Sequence, residues 1–177
     1  MEIYKVIPKD FYRDFAANTK LNQFLRAVFS EIDNKETCHE LTRHAESLRD
    51  ALVDVQLDLM SNVRYNVLGC VPLFFVRNNT RVNGKYIRWR TRSDSTLNTG
   101  DHVLDNALKE PKFEPQIKLN LISAERERLV LNMQMRLFTD FVQEFKKLDQ
   151  KFDALDKLEQ ELMEKVLQEQ NMRSANE

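Results

Sequence analysis

Residues 71–92 read VPLFFVRNNTRVNGKYIRWRTR, and this stretch decides the fold. On both sides of it apolar residues recur every three or four positions, the period of a helix, whereas inside it the period falls to two. Val71 to Val76 is a short apolar run rich in Phe and Val. Asn83-Gly84 is a turn pair, because both residues tolerate a positive φ. The stretch therefore reads as a β-hairpin, with strands at about 71–78 and about 84–92 and a register left open by the length of the connection. Alternation places Tyr86, Arg88, Arg90 and Arg92 on one face of the second strand and Ile87 and Trp89 on the other. The Ile and Trp face is expected to pack and the Arg face to be presented.

Working outward, residues 8–66 read as the N-terminal helices. The first helix, about Pro8 to Ile32, carries Phe11, Phe15, Leu21, Phe24, Leu25, Val28 and Phe29, with Asn18-Thr19 as a candidate interruption. The second, about Lys35 to Asn62, places Leu41, Ala45, Leu48, Leu52, Val55 and Leu59 on one stripe at alternating spacings of 4 and 3. After the hairpin, residues 93–115 are polar and read as a loop, punctuated by Pro111 and Pro115, with a short helix possible at His102–Leu108. Residues 116–171 read as one long helix with a coiled-coil seam through Phe138, Phe141, Phe145, Leu148, Phe152, Leu155, Leu158, Leu162 and Val166. The expected class is α+β and predominantly helical: a single domain over 1–177, its long helix packed antiparallel or as a coiled coil.

Composition agrees with that class. Charged residues are 31% of the 177, and Gly and Pro number only three and four, too few for the many turns of a sandwich or barrel. Apolar residues at 42% argue against general disorder. Cys38 and Cys70 form no C-x-x-C pair, no apolar stretch approaches a bilayer span, and the charged N-terminus does not read as a secretory signal, so the expectation is a cytoplasmic protein with no membrane partner. The net charge is −1, but from Leu73 to Ser93 there are six bases and no acid. The remaining 21 bases face 28 acids, a balance of −7, so the hairpin is a basic island on an acidic body.

Like charges this close repel one another, and a polyanion would remove that cost. Arginine matches phosphate oxygens bidentately, and a two-stranded ribbon fits a major groove. The candidate nucleic-acid contacts are Arg88, Arg90 and Arg92, with Arg77, Arg81 and Lys85 extending the patch and Tyr86 placed to stack on a base. Two other readings stand beside this one: a solvated edge strand protected by charge, and arginines that pair with acids on the long helices. The long helix outruns its neighbours, so its distal part, about Phe145 to Leu167, is expected to meet a second copy or a partner. Phe145, Leu148, Phe152, Leu155 and Leu162 are the candidate interface. Asn132 and Gln134, set in an apolar turn, read as a buried amide pair capping the hairpin.

Catalytic and metal signals are weak. His39 and His44 are five apart and point to different helix faces, His102 stands alone, and no phosphate-cradling Gly loop, G-x-S-x-G or H-E-x-x-H occurs. The reading is a protein that is not an enzyme and needs no cofactor or metal.

The layout of an apolar strand, the Tyr86-Ile87-Arg88-Trp89-Arg90 strand, a polar loop and then ERERLVLNMQMRL over about residues 65–140 resembles small proteins of integrative conjugative elements and conjugative plasmids, among them MobI-like accessory mobilisation proteins and integrase regulators. That resemblance implies a bacterial factor acting on mobile-element DNA in conjugative transfer or its regulation, beside a relaxase or another transfer protein, with Arg88 and Arg90 in the matching strand. The rival expectation is a helical adaptor whose basic hairpin docks an acidic protein.

Overall fold

The computed structural model describes residues 5, 7–67, 71–80, 84–91 and 101–174. Among these residues the chain is α+β and predominantly helical, with five α-helices and one two-stranded antiparallel hairpin. In order they are α1 (Phe11–Asn18), α2 (Leu21–Val28), α3 (Lys35–Asn62), a π-helical turn (Val63–Val67), β1 (Leu73–Asn79), β2 (Lys85–Thr91), α4 (Asp101–Lys109) and α5 (Pro115–Ser174). A helix does form at 101–109, inside the stretch read as a loop.

The first helical segment is two helices, divided at the interruption that Asn18-Thr19 offered. Lys20 adopts φ 56°, a left-handed conformation that turns the chain between α1 and α2. Thr19 closes the end of α1, its N–H and its hydroxyl both donating to the Phe15 carbonyl at 3.0 and 2.6 Å. The ring Nε2 of His44 on α3 lies 3.2 Å from the Thr19 carbonyl oxygen, which ties the bend to the core. The bend exists to aim Phe24. Its ring is fully buried and lies within 5.3 to 6.3 Å, centroid to centroid, of His44, Phe138, Phe141 and Phe145. Burial of a Phe contributes about 3 kcal/mol at most, so a left-handed residue costing about 1 to 2 kcal/mol is affordable here.

Helix α3 begins where Asn34, in extended backbone, accepts a hydrogen bond on its side-chain oxygen from the Thr37 N–H at 2.8 Å. Its stripe from Leu41 to Leu59 is buried throughout. It packs antiparallel on α5, as three cross-helix pairs show: Lys35 with Asp153, His39 with Asp149 at 3.3 Å, and Lys146 with Glu46 at 2.9 Å. The facing residues of α5 are Leu131, Met135, Phe138, Val142 and Phe145, all buried. Cys38 lies in this interface, and burial, with the nearby Asp149 carboxylate, pushes its thiol pKa up, so it stays protonated and unreactive at neutral pH.

Pro115 suits the first turn of α5, and no Gly or Pro follows it to interrupt the helix. At about 1.5 Å per residue its 60 residues span about 90 Å, against about 42 Å for the 28 residues of α3. Alongside it α3 starts at Lys35, level with Asp153 and Asp156, and past that point no other described element covers α5, whose residues 154–172 are exposed. No described helix is long and apolar enough to cross a membrane.

Candidate functional site

Strands β1 and β2 pair from Leu73↔Thr91 to Asn79↔Lys85, with Phe75 opposite Trp89 and Val76 opposite Arg88. The inner face is closed by Phe75, Ile87 and Trp89, all buried, and the Phe75 and Trp89 rings lie 4.0 Å apart between centroids. The Trp89 indole N–H donates to Glu125 Oε2 at 2.7 Å. The same carboxylate grips the buried Arg128 guanidinium through two 2.7 Å bonds. The division of β2 expected from alternation is therefore the observed one: Ile87 and Trp89 inward, Tyr86, Arg88 and Arg90 outward.

At the turn the Thr80 N–H donates to the Gly84 carbonyl at 2.8 Å, and the Gly84 N–H donates to Thr80 Oγ1 at 2.9 Å. A side chain at Gly84 would meet the Tyr86 ring at 2.8 Å and Thr80 Oγ1 at 2.9 Å. Glycine is thus needed here for close approach rather than for a left-handed backbone. Tyr86 is half-buried with its ring against the turn, so one side of that ring is already occupied.

The outer edge of β2 is sealed by α5. Asn132 accepts from the Ile87 N–H and donates to the Ile87 carbonyl, both at 2.9 Å, in the manner of a neighbouring strand. Arg128 adds a 3.1 Å bond to that carbonyl. Asn132 thus caps the hairpin as its setting suggested. Gln134 does not join it and reaches the Tyr12 hydroxyl instead. Since Ile87 turns its N–H and C=O away from β1, Ile87 and Arg77 form a non-hydrogen-bonded pair. Phe75 and Arg77 therefore turn their own backbone groups away from β2, toward the edge of β1.

That edge borders an open groove of about 590 Å³ between β1 and the end of α3, lined by Met60, Arg64, Phe74, Phe75, Val76, Arg77, Asn78 and Arg90. Three arginines from three elements converge on it. Arg64, which the sequence reading did not single out, comes from the π-helical turn, its guanidinium 5.6 Å from the centre of the largely exposed Tyr65 ring. By register Arg77 belongs to the inner-face series, opposite the buried Ile87, but its side chain is exposed and lines the groove. Arg88 is exposed and Arg90 half-buried. None of Arg64, Arg77, Lys85, Arg88 and Arg90 has a carboxylate of the described residues within ion-pair distance. Pairing with helix acids therefore does not account for these side chains. Arg81 and Arg92 lie outside the described residues.

The second candidate set divides. Phe145 is buried within its own chain against Phe24 and Phe141, so it is not available to a partner. Leu148 and Phe152 are half-buried beside α3, whereas Leu155 and Leu162 are exposed. The unsupported part of the helix starts at about Leu155, ten residues later than the expected start at Phe145, because the N-terminus of α3 covers the intervening seam.

Comparison with protein-family models, with curated proteins and with solved structures returned no match.

Proposed function

We propose that this chain is a non-enzymatic DNA-binding protein that holds the phosphate backbone on the outer face of its hairpin and in the adjoining groove. The observation that carries this reading is the convergence of Arg64, Arg77 and Arg90 on one groove, with Arg88 exposed on the same strand as Arg90 and no described carboxylate paired to any of the four. Holding unpaired like charges together costs free energy that phosphate returns, and the guanidinium fork suits phosphate oxygens. In this reading Arg88 and Arg90 carry affinity, Arg64 and Arg77 line the groove, and Arg81, Lys85 and Arg92 extend the footprint. The biological setting we propose is a cytoplasmic accessory factor of a mobile genetic element, acting beside a relaxase or another transfer protein in conjugative transfer or its regulation. Its support is the resemblance of residues 65–140.

The test is a titration of a fluorescently labelled generic duplex followed by anisotropy at several salt concentrations. Four phosphate contacts give a log–log slope of about −3.6, and all seven about −6.3. Arg88→Ala/Arg90→Ala should weaken binding and reduce the slope by about 1.8 while leaving the circular dichroism unchanged. Unchanged affinity in that double variant overturns the proposal.

A second reading is favoured by one specific observation, the edge of β1 beside the three groove arginines. An acidic segment of another protein could add there as a third strand, taking its main-chain bonds from the Phe75 and Arg77 backbone. It predicts saturable binding of a Glu-rich peptide that Arg64→Ala weakens, with no binding to duplex DNA.

A further inference from the structure

The back of α5 carries a second apolar stripe. Leu131, Met135, Phe138, Val142 and Phe145 face α3, and the 3.6-residue turn places Leu129, Met133 and Leu137 on the opposite side. These three are 52, 51 and 49% exposed, which is unusual for apolar residues beside a well-packed core. Along a straight helix, at about 100° per residue, the seam rotates away from α3 past Phe152 and brings Leu155, Leu158, Leu162 and Val166 round to the same side as Leu129, Met133 and Leu137; these four are 53 to 61% exposed. Between the two clusters lie polar residues, among them Glu144 and Lys151.

The order of residues along this face is self-complementary when one copy is reversed. Placing Met133 opposite Leu162 of a second chain puts Leu129 opposite Val166 and Leu137 opposite Leu158. The same register sets Glu144 opposite Lys151 near the centre and Arg126 opposite Glu169 at each end. Each pairing occurs twice about a two-fold axis between Lys147 and Leu148, so the contact closes on itself. Asp140, level with Leu155, keeps its 3.6 Å ion pair with Arg136 on its own helix. Beside the stripe a shallow groove lined by Pro8, Tyr12 and Val130 lies level with residues 165–172 of the second chain.

We infer that the partner of this face is a second copy of the chain, packed antiparallel along α5 in that register. Charge and apolar complementarity agree in it. The contact runs from 129 to 166, about 57 Å at 1.5 Å per residue, long enough for an interface of the standard size of about 800 Å² per partner. The free end of each α5 is then covered by the core of its partner. This interface uses no hairpin residue, so its success or failure is independent of the proposed function.

The experiment is disulfide trapping in the full chain with Cys38 and Cys70 replaced by Ala. Met133→Cys/Leu162→Cys should cross-link under mild oxidation to a species of twice 21.0 kDa. Each single cysteine should not, because like positions are about 29 residues apart in this register, about 44 Å at 1.5 Å per residue. The two cysteines cannot join within one chain, since they are separated by the same length of one straight helix. Sedimentation should give a dimer that Leu137→Glu/Leu158→Glu weakens at least tenfold with unchanged helical content. Arg126→Glu should weaken it, and Arg126→Glu/Glu169→Arg should restore it. A monomer at all concentrations, or self-cross-linking of Leu162→Cys alone, as a parallel pair would give, overturns the inference.

Discussion

Asn132 does the most structural work of any single polar residue near the site. Its carboxamide satisfies both backbone groups of Ile87, and only the carbonyl has a second donor, Arg128. Asn132→Ala therefore strands the Ile87 N–H and should cost about 1 to 3 kcal/mol in urea denaturation. Glu125 sits at a comparable junction between the Trp89 indole and the Arg128 guanidinium. Removing one partner of a buried ion pair costs about 3 to 5 kcal/mol, and Glu125→Ala should fall near that range. Lys20 offers the opposite sign. Glycine at its left-handed φ should raise stability by about 1 kcal/mol, less whatever the unfolded chain gains in freedom, which a thermal melt would register. Trp89 is fully buried, so its fluorescence reports hairpin packing rather than contact with a ligand.

Among the elements, α3 and α5 are aligned by ion pairs at the end where their apolar contact runs out. The Asp153 carboxylate is held below its ordinary pKa by its hydrogen bond and charge contact with Lys35, and the Lys35 ammonium is raised by the same contact. Asp153 is the depressed acid, so its contribution is present above its unfolded value of 3.8 and is lost as pH falls through the lower folded value. Lys35 is the raised base, so its contribution is present below 10.5 and is lost as pH rises through the higher folded value. Asp153→Asn should therefore lower the melting temperature slightly at pH 7, and the difference from wild type should shrink in strong acid and in high salt, since the pair is exposed. The two long helices were legible residue by residue in the sequence, because a stripe at 3.6-residue spacing must face something apolar. An interruption was legible at Asn18-Thr19, where α1 ends; the left-handed turn at Lys20 was not, because the position of Phe24 among His44, Phe138, Phe141 and Phe145 demands it.

At the scale of the molecule, a basic hairpin packs on an acidic helical body. Separation of charge on this scale predicts that duplex binding falls steeply with salt, whereas an antiparallel dimer built mainly on apolar layers is far less sensitive to it. Running both titrations on one preparation should separate the two activities. The sequence by itself determined the class, the hairpin and the two faces of β2, since periods of 3.6 and 2 are local properties of a chain that must hide its apolar side chains from water. It also marked the arginines of residues 77–92 as a group. Only the tertiary structure decided that Arg64 joins Arg77 and Arg90 in one groove, that Phe145 is interior, and that Leu129, Met133 and Leu137 face outward. Those outcomes depend on which elements meet in space. A helix with apolar residues on two sides cannot choose its buried face from its own pattern; the neighbours that reach it first, here α3 and the hairpin, make that choice.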